Sequence, residues 1–261
     1  MSRTEQGRQT VALEALGRRI ASGDYPTGAP LPLEVIGKEL GVSRPVIREA
    51  LSVLTAIGMV RAWPKRGTFV QPRSQWDWLH PLILRWYHEA HEDFDFLDAV
   101  AQTRSIIEPQ VARLAAARRS ETDLAELAES LNQMATATWH PDTFIAADLR
   151  FHRVLLRASH NELLMQIDSV IETALRSHDG VVLSERRVHS LKVHRAVYEA
   201  VRRQSSDDAE KAMWQVLEKA RSDLALIREA KALLPPTYVP QVDPTFARPA
   251  PRRSRDVHPC Q

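Results

Sequence analysis

Five ionisable residues of this chain stand where a helical pattern asks for apolar ones. Phe144, Asp148, Phe151, His152 and Leu155 recur at spacings of four and three, which places them on one face of a helix. Asp148 and His152 therefore point inward with their apolar neighbours. A second face carries His194 with Leu191, Tyr198 and Val201, and a third sets Arg104 and Glu108 among Val100, Ile107 and Val111. Charged groups turned into a core need partners: one another, a metal or a bound ligand. Asp148 and His152, one turn apart, offer an oxygen and an imidazole to one point, as a divalent metal requires, and His194 can add a third donor from another helix. An Asp-x-x-x-His pair also arises as a plain hydrogen bond, so spacing alone leaves both readings open. A metal held this way could activate water for an enzyme, but no general base or nucleophile motif accompanies the trio.

The elements that must carry these residues divide the chain unevenly. Eight of the nine glycines lie in residues 1–75, so turn-rich structure ends there. From about Phe94 to Leu234 the sequence is rich in Ala, Leu, Arg and Glu with apolar spacing of three and four, which predicts six or seven packed amphipathic helices. Residues 76–93 join the two parts. Their aromatics, Trp76, Trp78, Trp86 and Tyr87, predict a packed connector, and Trp63 is read with Trp76, Trp78 and Trp86 as packing at the junction. Residues 235–261 hold seven of the sixteen prolines and are read as a disordered tail. His160, His178 and His189 lie in polar stretches and are expected to face solvent.

The glycine-rich part has its own pattern. A helix is expected over Val11 to Ile20, a short one from Leu33 to Leu40 closed by Gly41, and a third from Arg44 to Ile57, capped by Ser43 and ended by Gly58. Two helices joined by Gly41-Val42-Ser43 match a helix-turn-helix. In such a unit the start of the second helix approaches the major groove. Here that start is Ser43, Arg44, Pro45, Val46 and Arg48. An arginine there can reach guanine with two parallel donors, and a hydroxyl or the helix terminus can hold a phosphate. Two β-prone stretches around Lys65, Arg66 and Gly67 form a wing, whose cations suit the DNA backbone or minor groove.

Charge divides the same way. The net charge of +2 hides 11 Lys/Arg against 6 Asp/Glu in residues 1–75, and 20 against 25 in residues 76–234. A basic module beside an acidic one suits a nucleic-acid reader with a separate regulatory body. The single cysteine, Cys260, excludes an intramolecular disulfide and a cysteine-based zinc site. The polar opening, MSRTEQGRQT, and the lack of any long apolar run predict a cytoplasmic protein without a membrane span.

Leu31-Pro32 through Gly41-Val42-Ser43-Arg44-Pro45-Val46-Ile47-Arg48-Glu49-Ala50-Leu51, followed by Arg66-Gly67-Thr68-Phe69-Val70, resembles the winged helix of the GntR regulator family. Two departures stand out: the Pro32–Gly41 interval is one residue short, and Val35 replaces a basic residue that often touches phosphate. Arg104 to Pro109, Asp148 to His152 and His194 in an all-helical setting resemble the FCD sensor domain. The resemblance implies a mainly α protein: an N-terminal winged helix-turn-helix, then a C-terminal FCD bundle of six or seven helices. It further implies a homodimeric repressor on a short palindromic operator, released from it when a small carboxylic-acid effector binds in the sensor. By the same resemblance Asp148, His152 and His194 hold a divalent metal, zinc or nickel, and Arg104 pairs with the effector carboxylate while Glu108 shares the pocket. Val216 falls where the family's last histidine ligand would be. The run Arg73-Ser74-Gln75-Trp76 to Leu84-Arg85-Trp86 is similar to regulators of galactonate and related sugar-acid catabolism. A sugar acid is thus the expected effector, with lactate-like acids as the alternative, and the chain is expected to be a regulator and not an enzyme.

Overall fold

Short helices and a hairpin come first in the chain, and long helices follow. The computed structural model describes residues 3–91, 93–177 and 184–232. Helix α1 (Arg3–Ala21) is followed by α2 (Leu33–Glu39) and α3 (Arg44–Ala56), then by the antiparallel strands β1 (Val60–Trp63) and β2 (Gly67–Val70). The strands pair from Val60 opposite Val70 to Trp63 opposite Gly67, and Pro30 adds a one-residue bridge to Phe69. Leu16, Ile20, Ile36, Ile47, Leu51, Leu54, Met59 and Val70 close the core of this head. Gly58 ends α3 at φ +76, with the carbonyl of Gln75 where a Cβ would be, so only glycine suits the position.

A 3-10 turn (Arg73–Gln75) leads to α4 (Pro81–Ala90), which packs on two sides. Ile83, Trp86 and Tyr87 join the core of the head, whereas Leu84 packs with Val100, Val170 and Ala174 of the following helices. Trp76 and Trp78 stack at 5.7 Å beside it. Trp63 does not belong to this junction. It lies exposed on the wing, where the Arg61 guanidinium sits 4.5 Å over its ring, because its outward position on the edge of a two-stranded hairpin has nothing to pack on.

Seven helices follow among the described residues: α5 (Phe94–Arg118), α6 (Glu121–Thr136), α7 (Pro141–Ala158), α8 (Glu162–Met165), α9 (Asp168–Arg176), α10 (Ser184–Arg202) and α11 (Ser206–Ala232). Helix α7 is the centre of this bundle. It buries Phe144, Ala147, Leu149, Phe151, Val154, Leu155 and Leu156 on several sides, so it is covered nearly all round. Full burial of a side chain such as Phe151 is worth about 1.5–3 kcal/mol, and several such side chains on α7 together offset the cost of seating Asp148 and His152 in the interior. A capping box at Ser120 and Asp123 starts α6. His160 and His189 are exposed. His178 and the segment 235–261, with Cys260, lie outside the described residues. Among the described residues no helix is long and apolar enough to cross a membrane.

Candidate functional site

A cavity of about 630 Å³, counting its open mouth, lies between α5, α7, α10 and α11. Arg104, Asp148, His152 and His194 all line it. Three helices thus bring together residues up to 90 positions apart in sequence, and each of the three presents a buried polar group there. Glu108 stands directly behind, 1% exposed. Its Oε1 accepts a 2.5 Å hydrogen bond from Arg104 Nε, one turn earlier on α5. Its Oε2 lies 2.7 Å from His152 Nδ1.

The imidazoles are oriented from outside the cavity. His194 Nδ1 sits 2.7 Å from the carbonyl of Ser190, and His152 Nδ1 faces Glu108. Both rings consequently turn Nε2 toward Asp148, whose Oδ1 is 3.3 Å from His152 Nε2 and 3.0 Å from His194 Nε2. The two Nε2 atoms are 3.3 Å apart. Burial alone would raise the carboxylates' pKa values. For Glu108 the charges of Arg104 and His152 outweigh burial and hold it low, at about 2. Asp148 is likewise held well below the usual carboxylate range by His194 and His152. Burial would lower His152, but Glu108 and Asp148 push it up to about 9.

This donor set fits a divalent metal. Asp148 Oδ1 and Glu108 Oε2 are both buried without a hydrogen bond, although imidazole nitrogens lie within ion-pair distance of each. One ligand atom each from Asp148, His152 and His194 falls within 4.8 Å of the others. Anchoring both Nδ1 atoms by Glu108 and a carbonyl is the arrangement that fixes a ligating tautomer. Three protein donors leave coordination positions open for water or an anionic ligand. Val216 lines the cavity at 3% exposure and offers no donor.

The cavity also contains residues that helical periodicity left unremarked. Lys219, Asp223 and Arg187 line it along with Ser190. Lys219 and Asp223 form a buried pair on α11, and Arg187 Nε donates to the carbonyl of Thr138 at 2.6 Å. The available signal was the face of Val216, Lys219 and Asp223, at spacings of three and four. Burial keeps the Lys219 pKa down, at about 8, against the opposing pull of Asp148.

In the head, Ser43, Arg44, Pro45 and Arg48 are exposed at the start of α3. Ser43 occupies the N-cap position in an extended conformation, but its hydroxyl makes no capping bond. Pro45 has no N–H, so the Arg44 and Val46 N–H groups and the uncommitted Ser43 hydroxyl are what the start of α3 offers a phosphate. Arg44 Nη2 meets Glu34 at 2.6 Å, both strongly exposed, and such a pair yields easily to a stronger anion. Val46 departs from the expected reading face. It is 7% exposed and packs into the core of the head, because position three of α3 turns toward α1 with Ile47 and Ala50. Lys65, Arg66 and Gly67 are exposed at the tip of the hairpin, and Lys65 holds a left-handed φ of +59. That conformation costs a lysine about 1–2 kcal/mol, and it projects the ammonium from the turn closed by Arg66 N–H on the Trp63 carbonyl.

Residues 8–70 match the family described as bacterial regulatory proteins, gntR family, and residues 99–219 match the FCD domain. The chain is 34% identical over 201 residues to the galactonate operon transcriptional repressor of Escherichia coli (strain K12), covering 76% of this chain and 88% of that protein. It is 32% identical over 199 residues to a protein of the same strain named for regulation of the L-lactate dehydrogenase operon, covering 71% and 74% respectively. The solved structure "Lar controls the expression of the Listeria monocytogenes agr system and mediates virulence" shares the fold, with a TM-score of 0.59 at 20% identity over 84% of this chain and 97% of that one. The exposed α3 and hairpin of the head, and Arg104, Asp148, His152 and His194 of the cavity, fall within the two matched regions, and the chain belongs to the gntR family of bacterial regulatory proteins with an FCD domain: a DNA-binding transcription regulator, not an enzyme.

Proposed function

We propose that this regulator is a homodimeric, cytoplasmic repressor of sugar-acid catabolism, released from a short palindromic operator when a galactonate-like acid enters its cavity. The observation that carries the reading is the cavity itself, with Asp148, His152 and His194 converging on one side and Arg104 beside them. Residues 1–75 form the DNA-binding domain, 76–93 the connector, 94–234 the sensor and 235–261 a tail. Each head reads half of the palindrome through Ser43, Arg44, Pro45 and Arg48, with Lys65, Arg66 and Gly67 on the backbone.

Asp148, His152 and His194 hold the divalent metal, zinc or nickel. When bound, the metal supplies a Lewis-acidic centre that accepts a carboxylate and an adjacent hydroxyl. Arg104 keeps its Nη donors for the acid, since Glu108 takes its Nε. Glu108 holds Arg104 and His152 in place and contributes to effector binding through them. Binding can release DNA only if the acid favours one arrangement of the heads over the other. Helix α4 is the element through which that preference passes, because it packs on both the head and the sensor.

The second reading, a lactate-like effector, is favoured by the relative named for an L-lactate dehydrogenase operon. Both readings are tested with an operator selected from random duplexes, using fluorescence anisotropy with galactonate and lactate, before and after chelation. Release by galactonate in the metal-loaded protein is expected. Release by lactate alone would replace the sugar acid, and release by neither would overturn the assignment of the cavity to hydroxy acids.

A further inference from the structure

The α11 wall of the cavity has no task in the function proposed above. Val216 faces the cavity without a donor, and beyond it Lys219 and Asp223 carry on the same face. At about 1.5 Å of rise per residue they stand about 4.5 and 10 Å further along the helix axis than Val216. Their side chains are 12% and 5% exposed. Lys219 Nζ bonds to Asp223 Oδ2, and Arg186 bonds to Oδ1 from the solvent side.

The hydrogen-bonding capacity of this pair exceeds what its own contacts use. An ammonium has three protons, and the bond to Asp223 takes one; each carboxylate oxygen accepts from more than one donor. A buried ion pair contributes little to stability compared with apolar residues of the same size, so packing gives no reason to place one against a cavity. Asp223 is shared by Lys219 and Arg186, and its carboxylate on the cavity wall repels a second carboxylate set against it. Donors and acceptors side by side instead match hydroxyl groups, which both accept from an ammonium and donate to a carboxylate.

We infer that Lys219 and Asp223 form a hydroxyl-reading subsite that selects polyhydroxy carboxylic acids over short 2-hydroxy acids. This rests on the proposed function, in which the carboxylate end lies at Arg104 and the Asp148–His152–His194 trio. The chain of the acid then runs along α11, with its distal hydroxyls on Lys219 and Asp223.

Isothermal titration of the full-length, zinc-loaded protein with D-galactonate, L-lactate and galactarate tests the subsite. Wild type should bind galactonate more tightly than lactate. Lys219→Met and Asp223→Asn, each saturated with zinc, should weaken galactonate by about tenfold or more, as the loss of hydrogen bonds predicts, with lactate weakened far less in the same variant. The two variants are independent, and thermal melts identify either one that fails to fold, leaving the other to decide. Equal weakening of both acids, or no weakening of galactonate in a folded variant, overturns the subsite and leaves the proposed function standing. Tighter binding of galactarate than galactonate also overturns it, since the wall would then read a second carboxylate. Failure of wild type to bind either galactonate or lactate removes both.

Discussion

The ring of Trp86 on α4 occupies the space in which any residue but glycine would carry a Cβ at position 17 of α1. The same indole donates from Nε1 to Glu14 Oε2 at 2.8 Å, and Arg85 takes Glu14 Oε1 at 2.5 Å. Helix α4 is thus clasped to α1, while its Leu84 packs on α5 and α9. Gly17→Ala would gain about 1 kcal/mol of helix propensity but must displace a fully buried indole, an overpacking cost of about 1–3 kcal/mol. A net loss of up to about 2 kcal/mol in urea unfolding is expected. Unchanged or increased stability would show that the contact yields freely.

Arg44 and Lys65 should fail differently. Arg44 stands at the start of α3 and is placed to meet base edges, so Arg44→Ala should relax base preference, at about 1–3 kcal/mol on the preferred site. Lys65 is exposed at the hairpin tip, where the proposed function sets it on phosphate. Its replacement by alanine should weaken all duplexes alike and reduce the salt slope by about one. Anisotropy titrations on matched and scrambled duplexes over a range of salt separate the two. The same response from both variants would refute the assigned roles.

Arg104→Ala would leave Glu108 buried beside one fewer cation, which is destabilising in itself, by about 3–5 kcal/mol. Arg104→Lys keeps a charge against Glu108 but lacks the fork that serves Glu108 and an acid together. Operator affinity should therefore stay near wild type while release by galactonate falls by about tenfold or more. Wild-type release in the lysine variant would remove Arg104 from the acid site.

Asp123 links α6 to α7. Burial would raise its pKa, but bonds from the Ser120 hydroxyl and N–H and from Arg157 outweigh that and hold it below its ordinary 3.8. A carboxyl whose folded pKa is depressed stabilises the fold above its unfolded pKa, about 3.9, and that contribution disappears as pH falls through the folded value. Urea midpoints should accordingly fall more steeply below pH 4 for wild type than for Asp123→Asn. At pH 7 the variant should be less stable by about 0.5–2 kcal/mol, the range for a lost helix cap. Parallel acid profiles would show that Asp123 titrates alike in both states.

Helical spacing was sufficient to put Asp148 with His152, Arg104 with Glu108, and His194 on buried faces, because a period of 3.6 residues fixes which side chains share a side. Motif density likewise made the helix-turn-helix and hairpin legible, since each turn needs particular residues. The junction was legible in part: Trp76 and Trp86 pack there, but Trp63 does not. Val46 shows the limit within a single helix, since the start of α3 has one face for solvent and another for the core, and a residue's number within the motif does not say which it meets.

Only the packing of α5, α7, α10 and α11 decided what the buried faces confront. It set Glu108 on His152 Nδ1, turned both Nε2 atoms toward Asp148, and brought Lys219 and Asp223 to the same cavity. Periodicity along one helix carries no information about the helix opposite, whose side chains arrive from 20 or more residues away in sequence. The chemical types present were therefore determined by the sequence itself, whereas their meeting in one cavity depended on how the helices cross.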